Sequence, residues 1–261
     1  MSTQVTIILP FFNAEEFLEE TLASVENQTF PHWKIILVDD GSIDRSLAIA
    51  KEFKDRNSER TVILNSGGVG AARARNIATE IATSKYLAFL DADDIWRPEK
   101  LDVQLREMQE NGSVFSYTAF RKITPDGTIG DRVFRVPSSI DKAALLKTCP
   151  IRCFTVIYDQ DSLGKLYMPD VKMRNDYLTW FTALERIDLL RKDSLVTNPI
   201  IGINRDLGLY RIHPTSLTGN KLKAAHYQWK AYRENLNLPI GSALYNFMFY
   251  AFSGIANRRK F

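Results

Sequence analysis

Residues 86–94 read YLAFLDADD, and this stretch decides the fold class. The apolar run 86–90 predicts a buried β-strand, and the acidic turn after it predicts where the strand ends. Asp91, Asp93 and Asp94 place three carboxylates within four residues. Such carboxylates repel each other unless a cation lies among them, and hard divalent ions prefer oxygen ligands. The turn is therefore a candidate Mg²⁺ or Mn²⁺ site, although Asp residues also suit an acidic turn that caps the next helix.

Short apolar runs alternate with helical patterns on both sides of this stretch. The runs 5–9, 35–38, 62–64 and 114–119 predict further strands, and the segments between the first four carry apolar residues at helical spacing. Asn13 is expected to cap the first helix. Alternating β and α units predict parallel strands with helices on both faces, and ligands bind beyond the carboxyl ends of such strands. We therefore predict an α/β fold with a mostly parallel central sheet and a binding site at that edge.

The sequence pattern of the second half of the chain predicts a less regular structure. Its pattern indicates a hairpin over 121–135, a strand at 154–158, a helix over 176–190, a short strand at 209–212 and two terminal helices separated near Pro239.

Composition limits the classes of function. Of 261 residues, 45% are hydrophobic, which is enough for a sizeable core. The 34 basic and 31 acidic residues give a net charge of +3, too balanced to indicate a nucleic-acid partner. The only two cysteines, Cys149 and Cys153, predict structural thiols in a reducing compartment. We expect neither a signal peptide nor a membrane-spanning helix, because no stretch reaches the ~20 apolar residues that crossing a bilayer takes.

Two more segments at the predicted edge carry polar groups. Asp39 and Asp40 follow the second strand, where a carboxylate can accept a hydrogen bond from a base or ribose hydroxyl, or simply form a tight turn. The segment 67–76 (GGVGAARARN) places glycines before a helix, as a phosphate cradle does, but its spacing matches neither the P-loop nor the dinucleotide fingerprint. Arg75 within it is either a ligand-binding residue or an ordinary surface residue.

Taken in chain order, five segments resemble the motifs of the family 2 glycosyltransferases. They are 5–13 (VTIILPFFN), 28–30 (QTF), 38–42 (VDDGS), 74–76 (ARN) and 89–94 (FLDADD). Later segments resemble the branch that builds capsular, teichuronic-acid and O-antigen chains: 96–101 (WRPEKL), 116–118 (SYT), 167–170 (YMPD) and 210–214 (YRIHP). The resemblance thus covers nearly the whole chain.

The resemblance implies a GT-A fold in which a Rossmann-like nucleotide half is fused to an acceptor half. Here these would be residues 1–120 and 121–215, followed by C-terminal helices over 216–261. It further implies a nucleotide-sugar donor, expected to be a UDP-sugar, a lipid-linked saccharide acceptor, and Mn²⁺ or Mg²⁺ as cofactor.

Individual residues take roles from the same resemblance. Asp39 would accept the imide proton of uracil, and Asp93 would bind the metal ion that bridges the diphosphate. The implied donor-binding set is Pro10, Phe12, Asn13, Asp39, Asp40, Arg75, Asp91, Ala92 and Arg211.

The general base of the family lies at the start of a helix in the second half, and Asp176 matches it. Asn175 stands where the family more often has an acidic residue or Gln. The alternative is that Asp176 merely favours the helix dipole. Related enzymes place the motif of Arg211 and His213 over the diphosphate, where a neutral imidazole can bind metal and a guanidinium can pair with phosphate. A lone histidine is otherwise structural.

These roles predict an inverting glycosyltransferase. Asp176 would take a proton from the attacking acceptor hydroxyl, and the nucleoside diphosphate would leave from the opposite face of the sugar. One rival is a sugar nucleotidyltransferase, which would need a glycine-rich loop with an Arg/Lys pair in place of 10–13 (PFFN). A second rival is a non-catalytic sugar-nucleotide-binding scaffold, against which the retention of Asp93, Asp176 and His213 argues.

The C-terminal segment predicts an amphipathic helix. Apolar residues recur on one face, with aromatic residues beside them and a basic cluster after them, which suits an in-plane position at an anionic membrane. Packing on the catalytic domain or in a homodimer is the alternative. We expect a cytoplasmic protein at the inner face of the cell membrane. The face comprises Leu244, Phe247, Met248, Ala251, Phe252 and Ile255, with Tyr245, Phe249 and Tyr250 nearby and Arg258, Arg259 and Lys260 following.

Overall fold

The computed structural model describes residues 4–193, 198–213 and 221–256, with the backbone alone at 221 and 253–256. Within these residues the chain forms one eight-stranded sheet with helices on both faces, so the predicted α/β class is confirmed. The strands are β1 (Val5–Phe11), β2 (Trp33–Asp39), β3 (Thr61–Asn65), β4 (Tyr86–Phe89), β5 (Ile95–Trp96), β6 (Phe115–Ile123), β7 (Ile157–Asp159) and β8 (Ile200–Arg211). The helices are α1 (Leu18–Glu26), α2 (Ser46–Arg56), α3 (Ala71–Ile81), α4 (Lys100–Asn111), α5 (Lys142–Lys147), α6 (Gln160–Leu163), α7 (Asn175–Lys192), α8 (Lys221–Lys230) and α9 (Ile240–Ala256).

The strand order is β3-β2-β1-β4-β7-β6-β8-β5. The strands β1 to β4 pair in parallel, as their alternation with helices predicts. β7 lies antiparallel between β4 and β6, and β5 pairs antiparallel with β8. The sheet is therefore parallel from β3 to β4, the strands that the acidic clusters follow, and mixed from β4 to β5. The proposed boundary at residue 120 falls inside β6, so the two predicted halves share one sheet.

The core lies on both faces of the sheet. Ile7 of β1 packs in one cluster with Leu22 of α1 and Phe53 of α2, whereas Ile8 packs in the other with Trp180 of α7. Successive side chains of a strand point to opposite faces, so one strand supplies both clusters. Because helices cover both faces, the polar residues collect where the strands end.

Three local expectations are corrected by the structure. Asn13 does not cap the first helix, which begins at Leu18; it lies in the preceding loop with a left-handed φ of 46°. β8 is far longer than the expected 209–212. Residues 154 and 155 form part of a 3₁₀ turn (Cys153–Thr155), and β7 follows it.

The two C-terminal helices are present, with a π-helical segment (Ala231–Asn235) continuing α8. Leu244, Met248 and Phe252 share an exposed face of α9, as predicted. Phe247 does not join them, because its ring turns inward and lies 5.7 Å from that of Trp229. The side chain of Ile255 and the basic residues 258–260 lie outside the described residues.

Candidate active site

The site lies at the carboxyl edge of the parallel strands. Phe11, Asp39 and Asn65 are register partners at the ends of β1, β2 and β3, and the loop after β4 carries the acidic turn. Parallel strands bring their carboxyl ends to one edge, so segments distant in sequence meet here. The pattern of strands in the sequence was therefore enough to predict that the site lies at the carboxyl ends of these strands.

Asp40 organises the glycine-rich turn. Its carboxylate accepts hydrogen bonds from the backbone N–H groups of Val69 (2.8 Å) and Gly70 (2.9 Å) and from the Ser66 hydroxyl (2.7 Å). Gly70 has a φ of 91°, a conformation that L side chains rarely adopt, and it turns the chain into α3. The turn thus donates to a protein carboxylate, and Asp40 holds the start of α3 beside the site.

Asp39 and the loop after β1 form the neighbouring wall. Asp39 is buried, and its Oδ1 accepts from the backbone N–H of Ser42 at 2.9 Å. Asn13 Oδ1 accepts from the N–H of Ile43 at 3.0 Å, which ties the two loops together. Pro10 is buried in β1, whereas the ring of Phe12 is 58% exposed. Because Phe12 follows Phe11, the register partner of Asp39, its exposed ring lies after the end of β1 and is available to stack on a base.

Arg75 and Asp91 form a largely buried ion pair. Burial opposes the charge on Arg75, but Asp91, Cys153 and Asp176 together raise the pKa of the guanidinium. Next to it, Asn76 exchanges two hydrogen bonds with the backbone of Met168, at 2.8 and 2.7 Å. The ARN segment therefore joins the first half of the site to the YMPD segment of the second.

Asp93 and His213 face each other, with 2.9 Å between Asp93 Oδ2 and His213 Nε2. Burial and the charge of Asp91 raise the pKa of Asp93, whereas His213 lowers it. Burial and the charges of Asp93 and Asp91 raise the pKa of Asp94 well above its usual range. Excess negative charge in a partly buried place is what a divalent cation relieves. Within the described residues there is no cluster of three or more His, Cys, Asp or Glu side chains that could hold a metal ion.

Arg211 is buried to 2% exposure beneath the acidic turn. Its Nε donates to the backbone oxygen of Asp93 at 2.8 Å, and its backbone N–H donates to Asp94 Oδ1 at 2.8 Å. Nη2 pairs with Glu20, and the guanidinium lies 4.4 Å from the ring centroid of Phe17. In this structure Arg211 therefore fixes the acidic turn through protein contacts, and its role toward phosphate stays a prediction.

Asp176 lies in the first turn of α7, which begins one residue before it. Its Oδ1 accepts from the N–H of Tyr177 at 2.7 Å, and its own N–H donates to Asn175 Oδ1 at 2.8 Å. Asp176 also contributes to raising the pKa of Arg75, after the larger effects of burial and Asp91. Thr179 of the same helix donates to the backbone oxygen of Tyr167 at 3.5 Å, so the start of α7 lies against the YMPD segment, and the role of Asp176 as base stays a prediction.

The model of Glycosyl transferase family 2 matches residues 6–164 of the chain. The chain belongs to this family. It is 36% identical over 254 residues to the putative teichuronic acid biosynthesis glycosyltransferase TuaG of Bacillus subtilis, covering 97% of both chains. It is 33% identical to WfgD of Escherichia coli, named a UDP-Glc:alpha-D-GlcNAc-diphosphoundecaprenol beta-1,3-glucosyltransferase, over 92% of this chain and 90% of that one.

Solved structures share the fold of this glycosyltransferase. S. aureus TarS 1–349 in complex with UDP-GlcNAc superimposes with a TM-score of 0.68 at 20% identity, over 88% of this chain and 64% of that one. The mannosyltransferase PcManGT from Pyrobaculum calidifontis, in complex with GDP-Man and Mn²⁺, gives 0.64 at 14% identity, over 100% and 77%. The predicted GT-A fold and the predicted enzyme class, a glycosyltransferase, are therefore confirmed. The comparisons do not support the alternatives of a nucleotidyltransferase or a non-catalytic scaffold.

For this family 2 glycosyltransferase the structure also adds residues that sequence reasoning missed. Asn76 stands in the ARN motif, and its side chain joins two halves of the site. Phe17, directly before α1, and Glu20 of α1 hold Arg211, and the Phe17 ring lies 5.0 Å from that of His213. The motif order could have drawn attention to Asn76, but no local pattern marks Phe17 or Glu20.

Proposed function

We propose that the protein transfers a sugar, with inversion, from a UDP-sugar to a hydroxyl of a lipid-linked saccharide in bacterial surface polysaccharide biosynthesis. The observation that carries the proposal is the position of Asp39, the Arg75–Asp91 pair, and Asp93 with His213 at the carboxyl ends of β2 and β4. The names of TuaG and WfgD support the polysaccharide context and the lipid-linked acceptor, and the ligand of TarS supports a UDP-sugar.

The donor nucleotide would bind across the ends of β1 and β2. The exposed ring of Phe12 offers a stacking surface, and the carboxylate of the buried Asp39 offers an acceptor to an imide N–H. Pro10 and Asn13 shape this wall, and Asp91 and Ala92 continue it at the end of β4. Asp40 contributes by holding the turn before α3.

Asp93 and His213 fit a Mn²⁺ or Mg²⁺ ion. Such ions take only one or two protein ligands when phosphate and water complete their coordination, so a site with two protein ligands is adequate. Burial raises the pKa of Asp93 and the charge of Asp91 raises it further, and the negative charge beside Asp93 also fits a cation. When bound, the ion would neutralise charge that develops on the departing diphosphate.

Asp176 would remove the proton from the attacking hydroxyl as it approaches the anomeric carbon. General-base assistance contributes about 10²–10⁴ in rate. We therefore expect Asp176→Asn to lower kcat by about 10²–10⁴ and to leave UDP binding with Mn²⁺ unchanged. Steady-state kinetics and calorimetric titration of UDP measure the two effects separately.

Asp188→Asn is the matched control, because Asp188 lies on the same helix and pairs with Lys142 at the surface. It should keep kcat within about twofold, as surface ion pairs contribute little. Equal losses of kcat and UDP affinity in Asp176→Asn would mean that the carboxylate binds the donor rather than acting as the base. If the wild type binds none of the UDP-, dTDP- and GDP-sugars with Mn²⁺ in a thermal-shift panel, the function itself is wrong.

The exposed apolar face of α9 supports peripheral contact with a membrane. No helix among residues 4–193, 198–213 and 221–256 is long and apolar enough to span a bilayer. Yet Phe252 is 71% exposed, and α9 carries no charged residue along its length. Burying such a face at an interface is favourable, and Lys147 beside the rings of Tyr245 and Phe249 adds positive charge.

One negative charge on the apolar face of α9 should weaken its contact with the membrane. Phe252→Glu places an anion on the apolar face, so its partition onto anionic liposomes should fall at least tenfold, since the membrane surface repels it and charge burial is costly. Ile43→Glu, at a site that is 91% exposed in the nucleotide half, is the matched control and should partition like the wild type. Sedimentation with liposomes measures both, and equal partition of the two variants would exclude α9 as the contact.

A further inference from the structure

A cluster of cations on aromatic rings lies beside the site and has no role in the proposed reaction so far. The Lys122 Nζ lies 4.8 Å and the Arg132 Cζ 4.7 Å from the ring centroid of Phe134. Arg152 lies over two further rings, at 5.5 and 6.0 Å from their centroids. We call the six residues the basic–aromatic patch: Lys122, Arg132, Arg152, Phe120, Phe134 and Tyr210.

The rings form a continuous base for the three cations. Phe120 and Phe134 are stacked with centroids 5.2 Å apart, and Tyr210 meets Phe120 edge-on at 6.1 Å. The hairpin brings them together, since the backbone N–H of Phe134 donates to the Phe120 oxygen at 2.8 Å. Each ring covers one side of a cation and restricts its rotamers, so less side-chain entropy is lost when an anion binds to Arg152.

The patch adjoins the acidic turn. Lys122 is the register partner of Tyr210, and the next pair, Ile123 with Arg211, lies directly beneath Asp93 and Asp94. Arg152 is half-buried, and among the described residues no carboxylate pairs with its guanidinium. The positive charge of Arg152 also lowers the pKa of Asp94, against the larger effect of burial. A guanidinium with no anionic partner at the rim of a catalytic edge is poised to bind one.

We propose that the basic–aromatic patch binds the phosphate groups of the acceptor, with Arg152 as the principal contact. This inference rests on the proposed function, which assigns the donor diphosphate to Asp93 and His213. The patch is built by residues 120–152 and Tyr210, beyond the strands that form the nucleotide wall. Guanidinium groups bind phosphate oxygens in pairs, and the positive charge of the patch complements the two negative charges of a diphosphate diester.

Geranyl diphosphate tests the proposal as a soluble probe, with geraniol as its uncharged counterpart. Calorimetric titration into the full chain with EDTA avoids the metal-dependent site. We expect Arg152→Gln to weaken geranyl diphosphate binding about tenfold, the loss of one charge-assisted contact, and the double variant Lys122→Gln/Arg132→Gln to weaken it by about tenfold or more. Lys51→Gln, which removes an exposed cation of α2, should bind the probe like the wild type. UDP binding with Mn²⁺ should stay within about twofold in every variant, which also shows that each has folded.

Two results would overturn the assignment. Unchanged geranyl diphosphate binding in the patch variants would leave the cations with a purely structural role. Displacement of the probe by UDP with Mn²⁺, together with equal loss of UDP affinity in the patch variants, would assign the patch to the donor diphosphate. The proposed function is tested separately, because it is wrong only if the wild-type protein binds no UDP-sugar.

Discussion

At the scale of single residues, the contacts around Arg211 show how a buried side chain can serve the site without facing the ligand. Its guanidinium reaches the backbone of Asp93 while Glu20, 191 residues away in sequence, pairs with it from α1. The YRIHP pattern predicted that Arg211 and His213 belong to the site. It could not predict the direction of the guanidinium, because a spacing carries no information about a partner on another helix.

Glu20→Gln should weaken metal-dependent donor binding. Without the carboxylate, Arg211 loses a charged partner and holds the acidic turn less firmly, and losses at such supporting positions typically cost about 10–100-fold in metal affinity. We expect the Mn²⁺ concentration that half-saturates UDP binding to rise by about tenfold, since the rest of the Arg211 contacts remain. Fluorescence titration of Mn²⁺ at a fixed UDP concentration measures it.

Glu19→Gln is the matched control for this residue, since Glu19 is exposed on the same turn of α1. It removes the same charge and should leave the Mn²⁺ dependence unchanged. A similar shift in both variants would mean that the general field of α1, and not the contact with Arg211, sets the affinity.

At the scale of elements, the alternation of apolar runs with helical patterns predicted β1 to β4 and their helices. Each of these strands must bury both faces, and each helix must bury one apolar stripe, so both leave a clear pattern in the sequence. Periodicity could not predict β5, which has two residues and exists only because Ile95 and Trp96 pair with β8. Nor could it predict that α9 contacts the start of α7. There Arg174 adopts a left-handed φ of 72°, and its guanidinium donates to the hydroxyl of Tyr250 and lies 5.2 Å from that ring.

Tyr250→Phe should lower kcat about three- to tenfold and leave the KM for the donor unchanged. A left-handed conformation costs a non-glycine residue about 1–3 kcal/mol and persists only where the surroundings enforce it. Losing one contact from Tyr250 loosens Arg174, and with it the turn that carries Asp176. Steady-state kinetics at saturating donor and acceptor give the split between kcat and KM.

Tyr245→Phe controls for the loss of a hydroxyl on the same helix, since Tyr245 is exposed and its described contacts are with Phe249 and Lys147. It should retain wild-type kcat. If Tyr250→Phe raises KM for the donor and spares kcat, α9 supports the nucleotide half of the site and not the base.

At the scale of the whole molecule, Lys100 lies where the sheet, α4 and the chain before β7 meet, and the structure buries it completely. Its Nζ donates to Gln104 Oε1 at 2.7 Å and lies 4.3 Å from the ring centroid of Trp96. Gln104 in turn donates to the Ser116 hydroxyl and the Thr155 backbone at 2.9 Å. The WRPEKL motif marked Lys100 as part of a family pattern, but a lysine in sequence is normally exposed, so only the packing reveals its burial.

Burial lowers the pKa of Lys100 well below 10.5, which makes the stability of the fold depend on alkaline pH. Between the native pKa and 10.5 the unfolded chain binds a proton that the native state has released, so stability gains up to about 1.4 kcal/mol per pH unit as pH rises. Lys100→Met has no such proton. The free energy of unfolding of the wild type minus that of Lys100→Met should therefore rise with pH above the native pKa and level off near 10.5, as urea unfolding at several pH values would measure.

Comparing the two proteins at each pH cancels every other group that titrates in both. Lys51→Met, which replaces an exposed lysine of α2, should show a difference from the wild type that does not vary with pH. A flat difference for Lys100→Met as well would mean that Lys100 keeps its proton in the native state. The Trp96 ring and Gln104 would then stabilise the ammonium group by more than burial costs it, and the network at the centre of the molecule would hold a permanent charge.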